Sequence, residues 1–107
     1  MDTGNFQCIA VDMGASSIRV MLGTLAEGKL SYEEKHRFKN EIKEVDGHER
    51  WDIEMITREI LVGVEEIIKD KRTNVSSIGV DSWGVDFVLL DKKGEILDLP
   101  VAYRDNR

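Results

Sequence analysis

The sequence predicts a mixed α/β domain, and three observations carry that expectation. Short β-favouring runs separated by turn residues fill positions 7–38, and Ile53, Ile56, Ile60, Val64 and Ile67 recur at spacings of three and four. Strand-like runs then return, beginning with residues 77–81. Strands before and after one amphipathic helix make an α+β arrangement, a mixed sheet of about five to six strands with one main helix. A chain of 107 residues buries roughly two-thirds of the surface that its unfolded form exposes, enough for one modest core.

Residues 7–11 form an apolar run stopped by Asp12, Gly14 and two serines, which reads as a buried strand entering a tight loop. Ile18, Val20 and Leu22 alternate with Arg19, Met21 and Gly23. Ala26, Glu27, Gly28 and Lys29 supply turn chemistry before a polar alternation from Leu30 to Phe38, so three antiparallel strands in a meander are the simplest arrangement. Residues 40–50 are almost wholly polar and lack a period. They read as a surface loop or an extension of the third strand, with no chemistry attached.

In the helix, Asp52 is placed to cap the first turn and Trp51 to pack on Ile56 as a hydrophobic staple. Lys69, Lys71 and Arg72 crowd the carbonyl end, Glu65 is placed to pair with Lys69, and the helix is expected to stop near residues 70–72. Residues 77–81 repeat the design of the first strand, an apolar run stopped by an aspartate. Residues 87–90 read as another strand turning at 91–94, and a last short strand is expected near Val101, after Pro100.

Fifteen Lys plus Arg against twenty-one Asp plus Glu give a net charge of −6, with the cations scattered among acids. Nucleic acid is therefore not expected as a partner. The one cysteine, Cys8, has no partner in the chain and no Cys/His spacing suggests zinc, so Cys8 reads as a small buried hydrophobe in a reducing cytoplasm. Residues 1–7 are unlike a signal peptide and no apolar run approaches the roughly 20 residues of a membrane helix, so no membrane partner is expected. His36 and His48 stand far apart and form no constellation.

Two segments gather chemistry. Asp12, Gly14, Ser16, Ser17 and Arg19 lie within one turn between antiparallel strands: small residues admit an anion, hydroxyls and Arg19 suit phosphate oxygens, and Asp12 suits magnesium. The plain alternative is a tight β-turn with a solvated Asp12. Asp81, Ser82, Trp83, Gly84, Val85 and Asp86 end a buried strand, and a ring beside a glycine between two carboxylates suits a polyhydroxylated ligand, the carboxylates accepting its hydroxyl protons. The alternative there is a bulge with Trp83 in the core. Residues 103–107 read, unaided, as a solvated chain end.

The runs at 10–22, 77–91 and 99–107 together, in order and with similar spacing, closely resemble the FGGY carbohydrate kinases, within the actin-like ATPase superfamily. The run from Asp81 to Asp91 is similar to the branch of that family acting on L-rhamnulose. What the resemblance implies is an incomplete ribonuclease H-like domain, with residues 1–107 the N-terminal part of the first kinase domain and the C-terminal domain absent. The implied reaction moves the γ-phosphate of ATP to the 1-hydroxyl of L-rhamnulose, giving L-rhamnulose 1-phosphate. Carried over by position, Ala15, Ser16, Ser17, Ile18 and Arg19 form the phosphate loop, Asp12 the Mg2+ contact, and Trp83, Gly84 and Tyr103 the sugar contacts. The general base is expected beyond Arg107, so no catalytic residue is assigned here, and neither Asp81 nor Asp86 takes that role. The chain alone is expected to be inactive, and to self-associate through uncovered cleft surface. Many relatives carry glycine where this chain has Ile18, whose β-branched side chain resists positive φ. Rival readings are another ketose kinase of the family, a nucleotide- or sugar-binding module without turnover, and a ribonuclease H-like nuclease built on Asp12, Glu54 or Glu59, and Asp81. The kinase reading further expects Asp12 and Trp83 to share one hollow, and their placement on opposite sides of the sheet with none between them would count against it.

Overall fold

The computed structural model describes residues 5–106, so most of the polar opening stretch and Arg107 lie outside the described residues. The elements run β1 (Phe6–Met13), β2 (Ser17–Ala26), β3 (Lys29–Lys39), β4 (Ile42–Val45), β5 (His48–Trp51), α1 (Ile53–Ile68) and β6 (Val75–Asp81). The meander forms as expected, with Val11 opposite Val20 and Ile18 opposite Phe38. Glu27 and Gly28 both take positive φ, 52° and 76°, the hairpin geometry whose twist matches that of the flanking strands. After the long crossover that parallel pairing demands, β6 pairs with the free edge of β1 and completes a mixed sheet of order β3-β2-β1-β6. This sets Asp12 and Asp81 side by side at the carboxyl ends of two parallel strands.

The helix follows its apolar stripe. Ile56 and Ile67 are buried against Ile9, Val11, Ile18, Val20 and Leu22, with Ile53, Ile60 and Val64 packed at the margin. The helix lies across β2 and β3 and leaves β6 uncovered: Ile78 and Val80 are 55% and 63% exposed. At the closest approach stands Gly63, where a Cβ would come within 2.8 Å of Val20. Asp52 caps the first turn by accepting the Met55 N–H at 3.2 Å, and it also meets Lys43 at 3.0 Å. Partial burial pushes the Asp52 carboxyl up, but the Lys43 and Met55 hydrogen bonds outweigh it and hold the group below the usual carboxylate range.

Several local expectations are corrected. The main sheet has four strands, not five to six, because the remaining two form a separate sheet. That sheet is the stretch at 40–50: β4 and β5 are a hairpin turning on Asp46 and Gly47, with φ of 53° and 76°. Its strands carry too few apolar residues to declare themselves by alternation, and they are held from outside. Trp51 N–H donates to the Pro100 carbonyl at 2.9 Å and Ala102 N–H to that of Glu49 at 2.8 Å. The strand expected near Val101 is thus one bridge to Arg50, and residues 87–90 contribute one bridge, Leu90 to Ile96. Lys69 pairs with Glu66 at 3.0 Å, not with Glu65, whose carbonyl takes the Lys69 backbone N–H instead. Trp51 is buried outside the core cluster that holds Ile56, and Cys8 is only half-buried.

Candidate functional site

The turn between β1 and β2 consists of Gly14, Ala15 and Ser16, with Asp12 and Met13 before it and Ser17, Ile18 and Arg19 after it. Gly14 N–H donates to the Ser17 carbonyl at 3.0 Å, and a Cβ on Gly14 would stand 2.8 Å from that oxygen, so the turn requires glycine there. Asn40, at the end of β3, braces the turn: its backbone N–H donates to Ser16 O at 3.0 Å and its side-chain amide to Gly14 O at 3.1 Å. Sequence reasoning passed over Asn40, a single polar residue opening a polar stretch, although it is only 6% exposed. Ser16 is exposed at the tip, and Ala15 and Ser17 are half-buried. Ile18 lies in the core with its backbone outside the positive-φ region, so it fits its position without strain, and any contact it makes with a ligand falls to its backbone.

Across the strand pair, the Arg19 guanidinium donates to the Asp12 carboxylate. That hydrogen bond, with the carboxylate charge, raises the Arg19 pKa. Both side chains remain about two-fifths exposed, so the pair adds little to stability and its members stay accessible to an anion or a cation. Asp81 stands beside Asp12. Among the described residues no group of three His, Cys, Asp or Glu converges. Glu59 instead meets His36 at 3.1 Å, and Glu54 is exposed, so the carboxylate trio of the nuclease reading is not assembled. One or two carboxylates are what magnesium uses when phosphates and water complete its shell, so Asp12 with Asp81 at its side fits that ion.

A second cluster forms beyond β6. The rings of Trp51 and Trp83 lie 4.4 Å apart at 40°, and Tyr103 lies 6.2 Å from Trp51. The Arg104 guanidinium stands 5.7 Å from the Trp51 ring centroid. Residues 103–106 are thus built into the molecule, not a solvated tail. Asp86 Oδ2 accepts the indole N–H of Trp51 at 2.5 Å, that of Trp83 at 2.9 Å and the backbone N–H of Tyr103 at 3.2 Å. Oδ2 is thus occupied from within the chain, while Oδ1 is buried and has no hydrogen-bond partner among the described residues. Trp83 is half-buried and, with Met13, Trp51, Ser82 and Pro100, lines a hollow of about 180 Å³. A Cβ on Gly84 would meet nothing within 4 Å, and Gly84 is not among the positive-φ glycines, so the chain itself does not demand a glycine there. An approaching ligand would benefit from its absence.

Asp12 and Trp83 line separate hollows, so this geometry does not itself support the kinase reading. Asp12 lines a groove with Ala10 and Asp81, whereas Met13, the next residue, lines the hollow of Trp83. The reason is the strand itself, since successive side chains point to opposite faces. The two hollows adjoin along the chain, with Asp12 and Asp81 in one and Met13 and Ser82 in the other. His36 and His48 remain apart: His48 meets Asp105 at 2.9 Å and ties β5 to the 99–106 segment.

A mixed sheet whose parallel strands end in Asp12 and Asp81 beside a glycine-bearing turn, backed by one helix, is compatible with an actin-like ATPase fold. Residues 7–107 match the FGGY family of carbohydrate kinases, N-terminal domain, and the chain belongs to that family. Among curated proteins it is 47% identical over 102 residues to a rhamnulokinase of Klebsiella pneumoniae (strain 342), covering 94% of this chain and 21% of that protein. It is 47% identical over 100 residues to a rhamnulokinase of Enterococcus faecalis, covering 92% of this chain and 20% of that one. A rhamnulokinase of Ligilactobacillus salivarius is 48% identical over 99 residues, with 92% and 20% covered. The chain thus spans about a fifth of the length of these relatives. No helix among the described residues is long and apolar enough to cross a membrane.

Proposed function

We propose that this chain is part of the first domain of a cytoplasmic kinase that transfers the γ-phosphate of ATP to the 1-hydroxyl of L-rhamnulose. The observation that carries this reading is the 47% identity to rhamnulokinases over 94% of the chain, which takes in the turn after β1, the end of β6 and the aromatic segment. Small residues at Gly14 and Ala15, the Ser16 and Ser17 hydroxyls, the Ile18 backbone and Arg19 suit the phosphates. Asp12 would hold Mg2+, which when bound screens charge on the transferring phosphoryl group. Trp83, Gly84 and Tyr103 are the sugar contacts. In this reading the general base and the adenosine pocket come from sequence outside this chain. Phosphoryl transfer needs phosphates, metal and acceptor held in line together, so the 107-residue chain alone turns nothing over. Its uncovered β6, with Ile78 and Val80 exposed, favours self-association.

The test is an ATP-dependent phosphorylation assay on the full reading frame that carries this chain, with L-rhamnulose set against other ketoses. L-rhamnulose is expected to give the highest kcat/KM, and Asp12→Asn to lower kcat by about 100-fold or more, the scale of losing one charge-stabilising contact in the transition state. A better ketose would move the protein elsewhere in the family. Unimpaired turnover by Asp12→Asn would remove Asp12 from the site.

A further inference from the structure

One oxygen organises the aromatic hollow. Asp86 Oδ2 receives three N–H groups from three separate parts of the chain: Trp51 at the end of β5, Trp83 in the loop after β6, and Tyr103 in the last described segment. Two rings 4.4 Å apart are thereby fixed to the same acceptor. Hydrogen bonds to an ionised carboxylate are about twice as strong as neutral ones and correspondingly directional.

A second observation lies in the backbone beside Asp86. Val85, between Gly84 and Asp86, has φ of 68° although it is β-branched, and its side chain is 83% exposed. Such a conformation persists only where the surroundings over-determine it. Packing does not hold a side chain that stands in solvent. The bonds made by the next residue do.

We propose that Asp86 is the positioning residue of the hollow: it sets the angle between the Trp51 and Trp83 rings and holds the backbone at Gly84 and Val85 in its strained, open form. A consequence for recognition follows. Both indole N–H groups are spent on Asp86 and Trp51 is only 1% exposed, so Trp83, half-buried, is the ring that offers a ligand a face, and it offers no donor. A sugar is gripped there by its C–H face, and its hydroxyls are read by other groups, including the Gly84 backbone. The sugar-face consequence rests on the function proposed above, whereas the positioning role does not.

The chain has two tryptophans, both bonded to Asp86, so its 15N–1H spectrum carries two indole signals that report on this carboxylate directly. In the unaltered chain, both indole hydrogens are expected to exchange with solvent at least about tenfold more slowly than in free tryptophan, the factor a charge-assisted bond supplies. Asp86→Asn keeps the shape but substitutes a neutral acceptor. It is expected to move both indole signals upfield together and weaken the near-ultraviolet circular dichroism of the ring pair, while the far-ultraviolet signal of α1 stays. Exchange at the free rate by either indole overturns the proposal without any variant, as does an Asp86→Asn spectrum in which one signal moves and the other does not. Assay and titration with L-rhamnulose separate the two ideas. If L-rhamnulose is no substrate of the full reading frame while Asp86→Asn moves both indole signals of this chain, the sugar reading fails and the positioning role stands. If the sugar binds and Asp86→Asn leaves its Kd within twofold, Asp86 does not position the sugar surface; a rise of about tenfold supports it.

Discussion

The helix-backed side of the meander and the hollow beyond β6 are held together by opposite means. In the first, Ile9, Val11, Ile18, Val20, Leu22, Ile56 and Ile67 exclude water from one another, with a polar tie from His36 to Glu59 at 3.1 Å at the margin. In the second, two rings and an amide hang on one carboxylate oxygen, while Phe87 and Leu89 nearby stay 70% and 62% exposed. Apolar burial is strong but indifferent to angle, so it makes a platform. A charge-assisted hydrogen bond is weaker and directional, which suits a surface that must present rings and backbone to a ligand at a set orientation. The turn after β1 belongs to the second kind, pinned by Asn40 through Ser16 and Gly14.

The most forceful way to break this contrast is to cut the platform. Ile56→Ala removes a fully buried side chain at the centre of the core and is expected to cost about 3–4 kcal/mol in urea unfolding, within the range for such truncations. Loss of the indole signals at the same urea midpoint as the helix would make core and hollow one cooperative unit; an earlier loss would separate them. A smaller effect tests the polar side of the platform. Asp52→Ala should cost about 1 kcal/mol through the lost cap. Because the folded pKa of Asp52 lies below 3.8, its contribution is fully present above that pH and is lost as pH falls through the lowered value. The stability gap between the two proteins is therefore expected to close below pH 3.8, and a gap that stayed constant would show that the carboxylate charge is not what caps α1. The smallest change should have the opposite sign. Val85→Gly relieves about 1–2 kcal/mol of left-handed backbone strain and costs about 0.5–1 kcal/mol in chain entropy, so a net gain between about 0 and 1.5 kcal/mol is expected. A clear loss would mean that Val85 is not strained.

Legibility in the sequence followed the same division. The meander, the helix and its Asp52 cap, and the return of an apolar strand at 77–81 were readable because their side chains repeat with the period of the element. The β4–β5 hairpin was missed although Asp46 and Gly47 are a strong turn pair, because His48, Glu49 and Arg50 show no apolar alternation and the hairpin is held by Pro100 and Ala102, about fifty residues away. Trp51 looked like a staple for the helix it precedes, and nothing local revealed that Trp83 and Asp86 would claim it. Asp12 and Trp83 line different hollows, and the spacing of two separate motifs says nothing of which face of a sheet each residue takes.

The sequence by itself determined the meander, the helix, the returning strand at 77–81 and the family, because periodicity and motif spacing are properties of neighbours along the chain. Only the tertiary structure decided that Asp12 stands beside Asp81, that Asn40 underpins the turn, and that Asp86 Oδ2 accepts from both indoles. Those are contacts between segments 26 or more residues apart, or choices among acceptors all within reach, and they are fixed only when the whole sheet assembles and desolvates the groups together.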